Sequence, residues 1–78
     1  MSPVEAIRRV LEVQEKHFAN KFVKFYHMLG LLNRHEGYTP HVRKQYLQVV
    51  RLIHPDKTSE PRAELASKFL ISSHDDVE

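Results

Sequence analysis

The chain has 78 residues, 41% hydrophobic and 28% charged, with a formal net charge of +2 and a pI of about 9.1. With no cysteine it can form neither disulfides nor cysteine-ligated zinc, and thiol catalysis is removed with them; a charge this small gives no reason to expect a nucleic-acid partner. What remains is one small domain of ordinary globular composition, burying about 60% of its unfolded surface and needing well-packed helices or a partner.

The N-terminus opens as a helix. Ser2 can cap, Pro3 suits the first helical position, and Glu5 completes a capping box. Behind it Val4, Ile7, Leu11, Phe18, Phe22, Tyr26 and Leu29 recur at helical spacing, widened by Val10, Phe25 and Met28. The stripe lapses at Gln14 and Glu15, which fits either one helix over residues 3–29 or two helices meeting near residues 14–20. The absence of Gly and Pro favours a single long helix, stopped by Gly30. No apolar run approaches the roughly 20 residues of a membrane span. The same segment lacks the apolar core of a signal peptide, and Glu5, Glu12 and Glu15 argue against a transit peptide. The expectation is a soluble intracellular protein, cytoplasmic or nuclear, with a mitochondrial address left open.

Residues 31–39 read as a polar loop containing Gly37. Thr39 and Pro40 then form a second cap-then-proline start. In the helix that follows, Val42, Tyr46, Val49, Val50 and Ile53 share one face, and Pro55 ends it by pushing its predecessor out of the helical region. Residues 58–61 form a polar turn able to cap a third helix, whose apolar side is Ala63, Ala66, Phe69 and Leu70. From residue 72 the pattern fails: Ser72, Ser73, Asp75 and Asp76 are poor helix-interior residues, and acids near a helix C-terminus oppose its dipole. A frayed tail over residues 72–78 is expected.

The most informative residues are His54, Pro55, Asp56 and Lys57, lying between a basic helix and a second helix. With Phe25, Tyr26, Leu29, Gly30 and Leu31 upstream, Arg43, Lys44 and Tyr46 at matching distance, and Lys68 and Phe69 downstream, this ordered set resembles the J domain, the module that activates DnaK-type (heat shock protein 70 class) chaperones. The resemblance covers residues 22–71. Residues 1–21 are then an N-terminal helical extension. It implies an all-α fold built on an antiparallel pair, the family's helices II and III, here with a long N-terminal helix. Beyond Phe69 the chain has Ser72, Asp75 and Asp76 where the family packs apolar residues, implying a shortened third helix and an end that is cut or alternatively spliced. The length of the connecting loop, with Gly37 and Pro40, is similar to that in polyomavirus T antigens, although Glu36, Thr58 and Ser59 depart from their pattern. Iron–sulfur-assembly J proteins also have long loops and a pair like Arg51-Leu52. Both branches stay open.

By this resemblance the chain is a co-chaperone that stimulates ATP hydrolysis by its partner and is not itself an enzyme. Chaperone contacts are expected from His54, Pro55, Asp56 and Lys57, and from Arg43, Lys44, Leu47, Gln48 and Arg51 on the preceding helix. Leu47, Gln48 and Leu52 stand where the family usually has further basic residues, so electrostatic capture is expected to be weaker than usual. Tyr26, Leu29, Val42, Tyr46, Val49, Val50, Ile53, Ala66 and Phe69 are assigned to the core. The apolar residues Val4, Ile7, Val10 and Leu11 are available for a second protein or for self-association.

Plainer readings compete. Pro55 is a helix stop and Asp56 a cap for the next turn, and Arg43, Lys44 and Arg51 are a solvated face. Neither accounts for the ordered set as a whole. Six histidines, His17, His27, His35, His41, His54 and His74, show no i, i+4 pair with a neighbouring acid, so no metal and no cofactor are expected. His54 and Asp56 lack the nucleophile, phosphate loop or second carboxylate pair of a catalytic site. The alternative of a different class is a small helical interaction module, either a viral early-protein fragment or a degenerate J-like scaffold, that binds without stimulating ATPase.

Overall fold

Three helix starts are set by short polar side chains that accept the first orphan backbone N–H groups. The last helix follows Arg62 with no side-chain cap, so the polar turn at residues 58–61 does not cap it as expected. In the computed structural model, which describes residues 2–31 and 39–78, α1 spans Pro3–Gln14, α2 Lys21–Leu29, α3 Pro40–Ile53 and α4 Ala63–Val77. The expected loop around Gly37, with His35 and Glu36, lies outside the described residues. Ser2 Oγ accepts from the Glu5 N–H at 3.2 Å and Thr39 Oγ1 from the Val42 N–H at 3.2 Å, each with proline at the following position. Gly30 closes α2 at φ 79, a left-handed value that a Cβ would disfavour. Among the described residues every regular element is a helix, and every pair of helices is in contact.

The single long helix over residues 3–29 is not what forms. α1 ends at Gln14, where the apolar stripe lapses, in tight bonds from the Glu15 and Lys16 N–H groups to Glu12 and Val13 carbonyls. Asn20, extended at φ −159, then caps α2 by accepting the Val23 N–H at 3.0 Å. An unbroken helix would be about 40 Å long, against a longest dimension of 33 Å for the fold. Breaking it lets α1 turn back and bury Ala6, Ile7, Val10, Leu11 and Val13 against the other helices. Burial of several large side chains, each contributing about 1.5–3 kcal/mol, outweighs the few backbone bonds lost at the break. α1 is therefore part of the same core as the rest, and of its apolar residues only Val4, 43% exposed, stays at the surface.

The second correction concerns the C-terminus. The tail expected to fray over residues 72–78 is helical to Val77, and the last helix is not short. Its buried positions are Ala63, Ala66, Ser67, Leu70, Ser73 and Val77, a continuous helical stripe. Ser67 and Ser73 belong to it because small side chains let neighbouring helices approach, a gain that exceeds the modest propensity penalty of serine. The remaining core is formed by Phe25, Tyr26, Met28, Leu29, Val42, Tyr46, Val49 and Ile53, whereas Val50 and Phe69 pack at its margin only partly buried.

If the last turn of α4 is packed in this way, Val77→Ala should destabilise the chain by about 1–2 kcal/mol, the loss of two buried carbons. At this chain size that lowers the melting temperature by about 4–8 °C per kcal/mol. Ser72→Ala, at an exposed position, serves as the control. Equal melting temperatures for the two variants would mean that the tail is frayed after all.

Candidate functional site

α3 delivers residues 54–57 to the surface. Ile53 is fully buried, and one residue later the backbone has left the helical region, with His54 at φ −62 and ψ 135 ahead of Pro55. The His54 carbonyl accepts from the Lys57 N–H at 2.8 Å and the Thr58 N–H at 3.2 Å, so the segment closes on itself as a turn. The imidazole folds back over it. His54 Nδ1 accepts the Asp56 N–H at 3.1 Å, which in the neutral ring leaves the proton on Nε2, facing away from the turn.

That arrangement fixes what the turn presents. The Asp56 side chain is 87% exposed and that of His54 44%, with Asp56 Oδ2 3.7 Å from Nδ1. Pro55 and Lys57 are exposed as well. A carboxylate, a proline ring and an imidazole N–H therefore stand together on one hydrogen-bonded turn. An arginine or a backbone donor on a partner is the natural complement of such a carboxylate.

Of two residues given no role in the sequence reading, one holds this turn in place and the other secures the helix that delivers it. Ser67 Oγ donates to the Ile53 carbonyl at 3.0 Å, tying α4 to the last turn of α3 directly beneath the loop. Gln45 Nε2 donates to the Leu29 carbonyl at 3.1 Å, tying α3 to the end of α2. Their signal in the sequence is positional: each is a polar residue at the edge of an apolar stripe, where a buried carbonyl needs a donor.

The expected docking face divides. Arg43, Lys44, Gln48 and Arg51 are exposed on α3, next to the turn in sequence and on the outer side of the helix. Leu47 is not a free apolar contact. It is half-buried and packs against the core, together with Val50 and Leu52. α3 carries no acidic residue, so its exposed surface is uniformly basic or neutral. Among the described residues no helix is long and apolar enough to cross a membrane. Comparison with known proteins finds no matching family model, no matching curated protein and no matching solved structure.

Ser67→Ala should leave the buried Ile53 carbonyl without its donor, at a cost of about 1–3 kcal/mol. The loosening should be local. Amide hydrogen exchange at Asp56, Lys57 and Thr58 should accelerate more than exchange in α1. Uniform acceleration throughout the chain would show that Ser67 supports the fold without specifically holding the turn.

Proposed function

We propose that this chain is a J-domain-type co-chaperone: it docks on a DnaK-type chaperone and stimulates ATP hydrolysis by that partner through residues 54–57. The observation that carries the reading is the turn itself, which is exposed, internally hydrogen-bonded and anchored at its start, where α4 bonds the last carbonyl of α3, beside a helix with only basic and neutral residues on its outer side. A proline helix stop with no other role would need neither the exposed carboxylate nor the imidazole that braces it.

In the proposed mechanism Arg43, Lys44 and Arg51 supply positive charge that steers association with an acidic surface, while Gln48 adds hydrogen-bonding capacity. Asp56 then competes for an arginine in the network that couples the chaperone's substrate domain to its nucleotide site. Pro55 limits the turn's freedom and reduces the ordering cost of docking. Lys57 extends the cationic surface beyond the turn. No bond is made or broken on this chain. It shifts an equilibrium that the chaperone already has, toward its hydrolysing state.

Steady-state ATP hydrolysis by a DnaK-type chaperone tests this. The chain should raise turnover, and His54→Gln and Asp56→Asn should each remove the increase while leaving helicity and melting temperature within the range of surface variants. If the wild-type chain and both variants give the same rate, the co-chaperone reading fails, and a binding module without ATPase stimulation takes its place.

Ionic strength gives a separate test of the docking face. Association should slow as salt rises, since exposed charges are screened beyond about 8–10 Å at 0.10–0.15 M. Arg51→Glu should reduce the association rate constant more than it raises the dissociation rate constant. Salt-independent binding would assign the contact to apolar surface.

A further inference from the structure

We propose that His54 is a proton-operated switch in the exposed turn: the neutral ring braces the backbone and leaves the Asp56 carboxylate free, whereas the protonated ring turns to that carboxylate. The switch itself stands on the geometry of the turn. Its consequence for docking rests on the co-chaperone reading above.

The brace depends on one lone pair. Pro55 has no N–H, so the Asp56 N–H is the first backbone donor after His54, and it donates to His54 Nδ1 at 3.1 Å. The ring nitrogen takes the part that an aspartate or asparagine oxygen plays in an Asx turn. Unlike such an oxygen, it can be withdrawn. An imidazolium carries a proton on both nitrogens and accepts at neither. Protonation at Nδ1 must therefore break this bond.

A second partner for the same nitrogen is already near. Asp56 Oδ2 lies 3.7 Å from Nδ1, too far for a hydrogen bond. A charge-assisted bond between imidazolium and carboxylate is about 2.7–2.9 Å long, so a movement of about 1 Å closes it. The rearrangement stays local, because the His54 carbonyl still holds the Lys57 and Thr58 N–H groups. The released Asp56 N–H passes to water at an exposed residue, so no buried donor is orphaned.

The neighbouring charges leave Asp56 as the natural acceptor. The others are Lys57 in the turn, Arg51 in the last turn of α3, Glu60 and Arg62 ahead of α4, and Glu64 and Lys68 on α4. Glu64 and Lys68 pair with each other at 3.7 Å. Among the described residues, Asp56 is the one acid within ion-pair distance of the His54 ring.

One carboxylate thus has two claimants. With the ring neutral it is open to an arginine on a partner, and Nε2–H stands beside it. With the ring protonated, the chain's own imidazolium takes it. Imidazole is the side chain whose charge changes between about pH 5 and 8. Docking is therefore favoured at the alkaline end of that range and weakened at the acid end. Both side chains are open to solvent, so the pair is weak and the effect graded, about two- to fivefold in affinity.

The experiment is an NMR titration of the full chain from about pH 8 to about pH 5, following the His54 ring nitrogens and the backbone amides. At the alkaline end the ring should carry its proton on Nε2. The Asp56 amide should then lose its hydrogen bond with the same midpoint as the ring, while the Lys57 and Thr58 amides keep theirs. In His54→Gln the Asp56 amide should not respond over this range. A neutral ring protonated on Nδ1, or an Asp56 amide that ignores the titration of the ring, overturns the switch. Docking is read separately, as the ratio of wild-type to His54→Gln affinity for an ATP-bound DnaK-type chaperone, which cancels the chaperone's own titration. That ratio should fall about two- to fivefold from about pH 7.5 to about pH 6. A constant ratio removes the regulatory role. Failure of both chains to bind at either pH counts against the co-chaperone reading, and the NMR result still decides the switch.

Discussion

Everything at the exposed turn hangs from the junction of Ile53 and Ser67. Ile53 is the last residue of α3 and has no exposed surface, and its carbonyl receives the Ser67 hydroxyl from α4. The next residue leaves the helix, and two residues on Pro55 rules out a return to it. The turn is thus suspended from a point fixed both by apolar burial and by a hydrogen bond between helices. His54 completes the arrangement from the other side, using its carbonyl for two N–H groups and its ring nitrogen for a third. A loop with this many internal bonds samples few alternatives, so its carboxylate meets a partner already oriented.

The junction is only as firm as α4, and α4 is held by α1 and α2 as well as by α3. A chain this small, with no disulfide, cannot leave a helix idle. That explains why α1 is recruited into the core and is not an appendage, and why the serine-containing end of α4 is packed. Gln45 secures α3 in its first half, where it bonds the Leu29 carbonyl at the C-terminus of α2. The site is local in sequence, yet its rigidity is a property of all four helices.

Local chemistry was legible wherever it is complete within a few residues. Ser2 with Pro3, Thr39 with Pro40, Gly30 and Pro55 each set a helix boundary as their side chains dictate. Tyr26, Leu29, Val42, Tyr46, Val49, Ile53 and Ala66 are buried because the helical period alone puts them on one face. What the pattern missed depends on neighbours distant in sequence. The break at residues 15–20 has no Gly or Pro; its marker is Asn20, a cap that prevails only once α1 can bury its stripe elsewhere. Serine and aspartate at the end of α4 are poor helix formers in isolation, but Ser73 and Val77 face the core and tertiary packing overrides propensity. Leu47 falls at the edge of the apolar arc, and contact with a wider core moves it from the outer face to the margin.

The charge distribution follows from the same packing. α3 has Arg43, Lys44 and Arg51 and no acid, while the acids of the C-terminal half of α4 gather in its last turn. Asp75 and Glu78, at i and i+3, are like charges close enough to repel across the last turn of α4. Here the cost is tolerated because each helix turns its charges outward and is secured from the inside. The Tyr46–His74 stack lies at the seam between the two, joining the inner side of the basic helix to the acidic turn. Tyr46 shares the buried face of α3 with Val42, Val49 and Ile53, and its position fixes the rotation of that helix about its own axis. Whatever orders His74 therefore also constrains the direction in which Arg43, Lys44 and Arg51 point. A short basic helix that cannot roll keeps its cations in a constant relation to the turn at its end, and that constancy is what lets weak surface charges act together with a single carboxylate.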